Sequence, residues 1–548
     1  MKKFLLAAVS IAALSSAPSW ANDSQSTINQ TGTRAKATVN QSGSTGSSQS
    51  RIDQAGTNNE ATVTQSGGQS GPVASRGFAA AAAASTVNTS TITQTAAGSA
   101  NNYASVDQVA SGFGSSGNNS AITQTGTRGT ATVRQTGAAN GSTVRQGGSW
   151  GQADVGQSGT GNSSTIDQTS AGASTATGAK AYVSQTGSTN GSTVSQVGSS
   201  STVSVTQGGS DATSSNNQSN VVETGVGSFV TVAQDGASNA SDVQQLAGSS
   251  SVTVGQTGTS NSSFVSQTLS GATVGVSQNG DRNSSTVGQS ALNATVNVMQ
   301  KGTLNRSDVT QTAQASTTTV RQTGTSNRST VGQTGRAATV TVTQGGNNAL
   351  SSGNIANVAQ VEHDASVTVT QDGQRNEAQI AQSGGPGLLN IGTLVGVGSR
   401  VITSQNGADN FARVTEVADN SLVQITQAGA GNRSTVTQNR VGNALSTTNE
   451  RQTAYVDQAG ATNQSFVTQN GTNQGTDIHQ NGDSGYSELT QSGTGNLASL
   501  FQSAGSVGNK SYITQSGTTG GVNVFQTTSN NLSTVTQSGT NNATTVTQ

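Results

Sequence analysis

Apolar positions are sparse in this chain, but they recur at a fixed place relative to glutamine. A landmark of one aliphatic residue, any residue and then Gln runs from Ile28-Asn29-Gln30 to Val546-Thr547-Gln548. It occurs 42 times; Glu223 and Glu416 replace Gln, and Thr403 is the one non-aliphatic exception. Of the 41 intervals between landmarks, 31 are 11 residues long and the others are all longer. A unit that tolerates insertions but not deletions indicates a strand and turn of minimum length.

The landmark has the side-chain period of a β-strand. In residues 329–333, alternate positions place Ser329, Val331 and Gln333 on one face and Thr330 and Gly332 on the other. β-Branched residues favour a strand, and no 3.6-residue period competes with it. We therefore predict that the aliphatic residue and Gln point into the core together.

Two kinds of half-turn alternate, so the full period is 22 residues. In the stretch from Glu223 to Gln344, every second Gln from Gln234 to Gln322 is followed by Gly at +2 and Asn at +5. The other Gln residues lack this Asn. Because Gly and Asn tolerate positive φ best, we predict that both bracket the chain reversal in that conformation.

The predicted fold class is all-β: a β-solenoid, or cross-β stack, of about 21 strand-turn-strand repeats of 22 residues. At about 4.8 Å per turn, this makes a rod on the order of 100 Å long. The repeat region is predicted to span residues 22–548 as one continuous solenoid. Longer loops are expected near 66–93, 208–222, 345–359, 383–404 and 439–457.

Each half-turn offers the core one aliphatic residue, one Gln and one small residue, which is little apolar area. Stability is therefore predicted to come from backbone hydrogen bonds between turns and from amides bonded to their copies above and below. Glu223 and Glu416 are expected to be weak points, unless they lie at exposed loop ends. The predicted structural ladder comprises Gln234, Gly236, Asn239, Val243, Gln245, Gln256, Gly258, Asn261, Val265, Gln267, Gln322, Gly324, Asn327, Val331 and Gln333.

Composition agrees with a polar β structure rather than a disordered chain. Only 30% of the residues are hydrophobic and 3% aromatic, but there are three prolines and the net charge is -1. Charged residues make up 9%, so we predict neither a nucleic-acid partner nor an anionic membrane surface. There is no Cys, so disulfide and thiolate chemistry are excluded.

The first 21 residues predict a secretory signal peptide. Lys2 and Lys3 precede an apolar run over 4–14, and Ser19-Trp20-Ala21 supplies small residues for cleavage before Asn22. The run is too short to cross a bilayer, which needs about 20 residues. We predict a mature protein that is soluble and exported.

The two ends of the repeat array predict polymerisation. Soluble solenoids carry atypical caps, because an open end is a row of unpaired backbone groups. Here the repeat starts a few residues after the predicted cleavage site, and Gln548 is itself a landmark. Val546 and Gln548 are therefore predicted to form a templating end for another molecule.

The alternating unit reads S-x5-Q-x-G-x2-N-x-S-x-V-x-Q and closely resembles the curlin repeat of bacterial curli subunits. Residues 250–267 and 316–333 both match all seven positions. The resemblance covers essentially the whole predicted mature chain. It implies a subunit of an extracellular amyloid fibre that self-assembles on the bacterial outer surface for adhesion and biofilm. It also implies an outer-membrane export channel and a nucleator subunit as partners. Unlike familiar curlins, the chain has about four times as many repeats and no Gly-rich segment before the first one.

Other functions receive less support from the sequence. We predict no enzyme, no cofactor, no metal and no small-molecule substrate, because the two histidines, His363 and His479, are far apart and the charges are scattered. A soluble monomeric adhesin or surface stalk is the alternative, although it would need an anchoring or capping domain. An ice-binding solenoid is less favoured, because few landmarks carry Thr on both outward sides.

Overall fold

Every helix or strand in the described part of the chain is a β-strand. A computed structural model describes residues 25–31, 33–41, 48–67, 88–99, 101–110, 117–169, 177–209, 214–346, 351–383, 398–418, 420–439 and 452–548. These ranges hold 42 strands and no helix, and hence no helix that could cross a membrane. The predicted signal peptide, 1–21, lies outside them.

The strands fall into two sheets, named here the odd sheet and the even sheet after their strand numbers. The odd sheet contains β1 Gln25–Gln30, β3 Gln49–Thr57, β5 Thr89–Ser99, β7 Asn119–Gln124, β9 Gly141–Gln146, β11 Ser163–Gln168, β13 Gly191–Gln196, β15 Gln218–Glu223, β17 Ala240–Gln245, β19 Ser262–Gln267, β21 Ser284–Gln289, β23 Arg306–Gln311, β25 Arg328–Gln333, β27 Ile355–Gln360, β29 Glu377–Gln382, β31 Phe411–Glu416, β33 Arg433–Asn439, β35 Gln464–Thr472, β37 Tyr486–Thr494, β39 Lys510–Thr518 and β41 Leu532–Thr540. The even sheet contains β2 Lys36–Gln41, β4 Glu60–Gly67, β6 Tyr103–Ala110, β8 Thr130–Ala138, β10 Gln152–Thr160, β12 Lys180–Ser188, β14 Thr202–Gln207, β16 Phe229–Ala237, β18 Ser251–Thr259, β20 Thr273–Asp281, β22 Thr295–Thr303, β24 Thr317–Thr325, β26 Thr339–Gln344, β28 Ser366–Gln374, β30 Arg400–Ala408, β32 Leu422–Ala430, β34 Thr453–Ala461, β36 Gly475–Gln480, β38 Leu497–Gln502, β40 Gly521–Gln526 and β42 Ala543–Thr547.

Each strand pairs in parallel with the strand two places later, so one odd and one even strand make a rung. In the even sheet, for example, Val254 pairs with Val276 and Gln256 with Gln278. The two sheets have 21 strands each, and every paired landmark residue meets its counterpart in register. This confirms the predicted all-β solenoid of about 21 repeats.

The core lies between the two sheets and follows the predicted alternation. Burial along β25 places Ser329, Val331 and Gln333 inside, with Thr330 and Gly332 between them facing out. The even sheet is more apolar than predicted, because a second aliphatic residue such as Val252 replaces the inward Ser. Valine fits here because its branched side chain packs well on a pleated surface.

The prediction for the turns was half right. Gly258, two residues after Gln256, has φ of +107°. The second positive φ, however, belongs to the residue at +4, here Ser260 at +56°, and not to Asn261 at +5. Position +4 is exposed in this turn and accepts many residue types, whereas Asn261 is buried and its side chain bonds the neighbouring rung.

Pairing continues across the longer loops. β28 pairs with β30 in register on either side of the loop predicted near 383–404, and β32 pairs with β34 across the one near 439–457. The inner parts of the five predicted loops lie outside the described residues. Extra residues therefore leave the stack without shifting its register.

Two glycines in β18 give a test of how closely the rungs approach. A Cβ on Gly258 would lie 2.3 Å from the carbonyl oxygen of Gly280 on the next rung, whereas a Cβ on Gly255 would meet nothing within 4 Å. We expect Gly258→Ala to lower the free energy of unfolding by at least about 2 kcal/mol, because φ is positive and the backbone is in the way. Urea unfolding followed by far-UV circular dichroism measures this.

The matched control is Gly255→Ala, which should change the free energy of unfolding by less than about 0.5 kcal/mol. Equal effects of the two substitutions would contradict the close approach of the rungs at Gly258.

Candidate functional site

The even sheet carries one unbroken ladder of glutamine side chains. From Gln41 to Gln548, each Nε2 donates to the Oε1 of the Gln one rung later, over 2.7–3.1 Å. The bonds all run in one direction along the rod. An amide can do this because it donates and accepts at once.

The second N–H of the ladder amide also has a partner. Gln256 Nε2 donates to Gln278 Oε1 at 2.8 Å and to the carbonyl oxygen of Ala240 at 2.9 Å. Gln278 repeats this with Gln300 and with the carbonyl oxygen of Ser262. The amide is buried, and such a group is costly unless both N–H groups are bonded. Each ladder amide therefore bonds the next rung of its own sheet. It also bonds the backbone of the opposite sheet.

The asparagines at +5 form a second ladder at one edge. Asn261 Oδ1 accepts from the backbone N–H of Asn283 at 3.1 Å, and Asn261 Nδ2 donates to the carbonyl oxygen of Gly280 at 2.7 Å. This carbonyl belongs to Gly280, whose positive φ forms part of the turn. Gly at +2 and Asn at +5 therefore act as one unit across two rungs.

The odd sheet carries a similar ladder with interruptions. Gln30 to Gln196, Gln245 to Gln333 and Gln438 to Gln537 are joined as in the even sheet. All the sequence-predicted ladder residues lie in the stretch from Gln234 to Gln333, where the structure pairs like residues rung by rung.

Glu223 accounts for the first interruption. Its side chain is fully buried, and its Oε2 accepts a hydrogen bond from Ser201 Oγ at 2.6 Å. An ionised carboxylate cannot donate to the next rung, and Gln245 Oε1 there has no hydrogen-bond partner. Burial is the main cause that raises the pKa of Glu223 from its ordinary 4.5 to about 7. Glu223 is a buried weak point rather than an exposed loop end.

Glu416 holds the equivalent place in β31. It is also fully buried, and it pairs in register with Gln382 before it and Gln438 after it. Gln438 Oε1, like Gln245 Oε1, has no hydrogen-bond partner among the described residues. The carboxyl groups of Glu223 and Glu416 therefore both lie in the core between the sheets, at the two landmarks where Glu replaces Gln.

The two histidines lie apart from the ladders in the described structure. His479 lies between Asp477, at 3.0 Å from Nε2, and Asp457, at 3.5 Å from Nδ1. These three residues line an open cleft on the outer face of the even sheet. His363 Nδ1 accepts from the backbone N–H of Arg336 at 3.0 Å. Within the described ranges, no group of three or more His, Asp or Glu residues is arranged to hold a metal ion.

Comparison with known families identifies the repeat. The family model of the curlin associated repeat matches residues 181–209 and 314–346, the second of which includes Gln322, Gly324 and Asn327. These two stretches are therefore curlin-type repeats. Curlin-repeat proteins are structural proteins rather than enzymes, and the family is associated with extracellular surface curli fibres. No curated protein matches the chain.

Sequence reasoning missed two features of this solenoid. One is the direction in which the amide hydrogen bonds run along the rod, because a single repeat does not determine how its amide is oriented. The other is the bond from Asn at +5 to the glycine carbonyl of the next rung. The fixed spacing of Gly258 and Asn261, repeated every 22 residues, was the available signal.

A substitution in the unbroken ladder tests its contribution. Gln278→Glu would remove the donor to Gln300 Oε1 and to the carbonyl oxygen of Ser262. We expect the free energy of unfolding to fall by about 2–4 kcal/mol at neutral pH, because buried acceptors lose their partners and a charge is buried. Urea unfolding of the monomer measures the change.

The matched control is Asn297→Asp on the outer face of β22, which makes the same chemical change at an exposed position. It should cost less than about 0.5 kcal/mol. A similar loss in both variants would show that the amide ladder contributes nothing specific.

Glu223 predicts a pH dependence with a defined sign. Its pKa is raised, so its stabilising contribution is complete below pH 4.5 and is lost as the pH rises through about 7. We expect Glu223→Gln to remove this loss by restoring a ladder donor. Relative to Glu223→Gln, the wild-type chain should lose about 3 kcal/mol between about pH 4 and pH 9, measured by urea unfolding.

The control is Glu60→Gln, since Glu60 is an exposed carboxylate that pairs with Lys36. It should leave the pH profile of the wild type unchanged. If Glu223→Gln kept the full wild-type profile, the titration would belong to another group.

Proposed function

We propose that this curlin-repeat protein is the structural subunit of a secreted, curli-like functional amyloid fibre. In this proposal it self-assembles on the bacterial outer surface and serves adhesion and the biofilm matrix. Export would use the predicted signal peptide, 1–21, and then an outer-membrane channel, and a nucleator subunit would start growth. The observation that carries the proposal is the pairing of the strands at the two ends of the described solenoid.

Among the described residues, each end rung is paired along one edge. Within the described residues, β1 pairs only with β3 and β2 only with β4, whereas β41 pairs only with β39 and β42 only with β40. Interior strands pair on both sides. An unpaired parallel edge is a template for another strand. The end rungs therefore support growth by addition of a second copy.

The even ladder supports head-to-tail addition in particular. Gln548 accepts from Gln526 and donates Nε2 to the carbonyl oxygen of Leu532, which leaves one N–H for a further acceptor. Gln41 is the first ladder member, and no Gln of the described residues donates to its Oε1. Joining two C-terminal ends would set donor against donor, and joining two N-terminal ends would set acceptor against acceptor, whereas head-to-tail joining continues the ladder.

The ladder residues predicted from the sequence have a role in this proposal. The columns through Gln256, Val265 and Asn261 would continue from one molecule to the next, so the fibre would be a longer version of the rod. Stability then grows with the number of stacked rungs, as expected for a linear repeat array.

The fibre is tested with the purified mature chain. We expect sedimentable, unbranched fibres that bind amyloid dyes and diffract at about 4.7–4.8 Å along the fibre axis. Val546 packs against the core at the C-terminal end rung, so Val546→Asp places a charge in the docking face. Seeded elongation should slow at least about tenfold, because a buried, unpaired carboxylate is costly.

The matched control is Thr545→Asp, which places the same charge on the outer face of β42. It should elongate at close to the wild-type rate. A wild-type chain that stays as isolated particles at high concentration would contradict the fibre and favour the monomeric adhesin.

A further inference from the structure

The outer face of the even sheet changes its chemistry near the C-terminal end. In the even strands from β2 to β34, the residue just before the landmark position is never His, Phe, Tyr or Trp. In β36, β38 and β40 it is His479, Phe501 and Phe525, which lie in register one rung apart. Their side chains point away from the core, so the stacking of rungs does not require them. A row of outward aromatic rings therefore indicates a binding surface.

Two open clefts on this face join into one groove. The first has a volume of about 420 Å³ and reaches from Gln424 to His479, and the second has about 430 Å³ and reaches to Asn523. Tyr455 and Asp477 line both clefts, so the groove is continuous from β32 to β40. Five stacked strands give it a length of about 20 Å along the rod. Each cleft has the size of a ligand site, about 300–1,000 Å³.

The groove has apolar residues on both sides. On one side Leu497 lies in register between Gly475 and Gly521 and is 61% exposed. A Cβ on Gly521 would meet nothing within 4 Å, whereas one on Gly475 would lie 2.7 Å from Cδ2 of Leu497. Leu497 therefore leans over the first glycine, and the second leaves open space. The column of Phe501 and Phe525 follows the other side.

Polar side chains run along the middle of the groove. Asp477, Ser499 and Asn523 follow one another in register, and they can accept and donate hydrogen bonds. His479 Nε2 lies 3.0 Å from Asp477 Oδ1, and its Nδ1 lies 3.5 Å from Asp457 Oδ2. One oxygen of each carboxylate is thus held by the imidazole, and the other can accept from a hydroxyl of a ligand.

We propose that this groove binds a neutral, extended polysaccharide. A straight chain of sugar rings with equatorial hydroxyls presents flat C–H faces to aromatic and aliphatic side chains and hydroxyls to amides and carboxylates. Asp457 and Asp477 disfavour an acidic polymer, because like charges repel. The groove takes no part in the pairing of rungs, so this binding does not depend on the proposed fibre.

The test titrates the freshly purified mature chain with a β-1,4-linked glucose hexasaccharide and follows binding by saturation-transfer NMR. We expect a Kd on the order of 0.1–1 mM. It should change less than about twofold between about 50 mM and 500 mM salt, because the ligand is uncharged. The α-1,4-linked hexasaccharide has the same composition but a coiled shape. It should bind at least about fivefold more weakly, because it cannot lie along a straight groove.

Matched variants assign the binding to the groove. Tyr455, 38% exposed, lines both clefts, whereas Tyr103, 39% exposed, lies on the outer face of β6 far from them. Tyr455→Ala should raise the Kd at least about fivefold, and Tyr103→Ala less than about twofold. Phe525→Ala in β40 and its control Phe229→Ala in β16 repeat the comparison with a second aromatic pair. Far-UV circular dichroism shows that each variant keeps its strands.

Several results would overturn the proposal. They are the absence of binding by the wild-type chain, equal losses in Tyr455→Ala and Tyr103→Ala, and equal affinity for the two glucose hexasaccharides. Tighter binding of a galacturonate hexamer would overturn the neutral class of ligand. A chain that forms fibres but binds no hexasaccharide refutes this inference alone. A chain that binds it but forms no fibre refutes only the proposed function.

Discussion

The backbone pairing, the core packing and the amide ladders all depend on one constraint. Strands stack in parallel and in register, so each residue lies over the equivalent residue of the neighbouring rung. Once the strands pair in register every 22 residues, each side chain meets its own copy about 4.8 Å away. A valine then packs on valine, and a glutamine can bond glutamine because an amide both donates and accepts. The structure needs no large apolar core, since buried amides with satisfied N–H groups replace apolar area. The same constraint makes a carboxylate disruptive, as the orphaned Oε1 of Gln245 beside Glu223 shows.

The odd sheet and the even sheet differ in how completely they use in-register stacking. In the even sheet the amide ladder is unbroken from Gln41 to Gln548, and its inward residues are largely aliphatic. In the odd sheet the ladder is interrupted at Glu223 and again between Gln333 and Gln438. One sheet therefore provides an unbroken amide ladder, while the other carries its interruptions.

Much of this fold could be predicted from the sequence, because the spacing of Val and Gln fixes both the faces of the strands and the number of rungs. The role of Asn261 could not, since Asn five residues after Gln suits a left-handed turn as well as a buried bond to the next rung. The burial of Glu223 was also open, because a carboxylate beside an inserted loop is compatible with an exposed loop end. The direction of the ladder depends on the cooperative orientation of all its amides and is invisible in one repeat. Features that one repeat determines, such as the faces of a strand, were predicted. Features that arise from contacts between repeats, such as the direction of the ladder, were not.

The continuity of the even ladder has a mechanical consequence. A force that pulls along the rod is carried by bonds between rungs, and the amide ladder that adds to them is interrupted in the odd sheet between Gln196 and Gln245. Strain would concentrate on that side, so the rod would bend open there like a hinge while the even sheet stays closed. The rod would therefore resist bending toward one sheet more than bending toward the other.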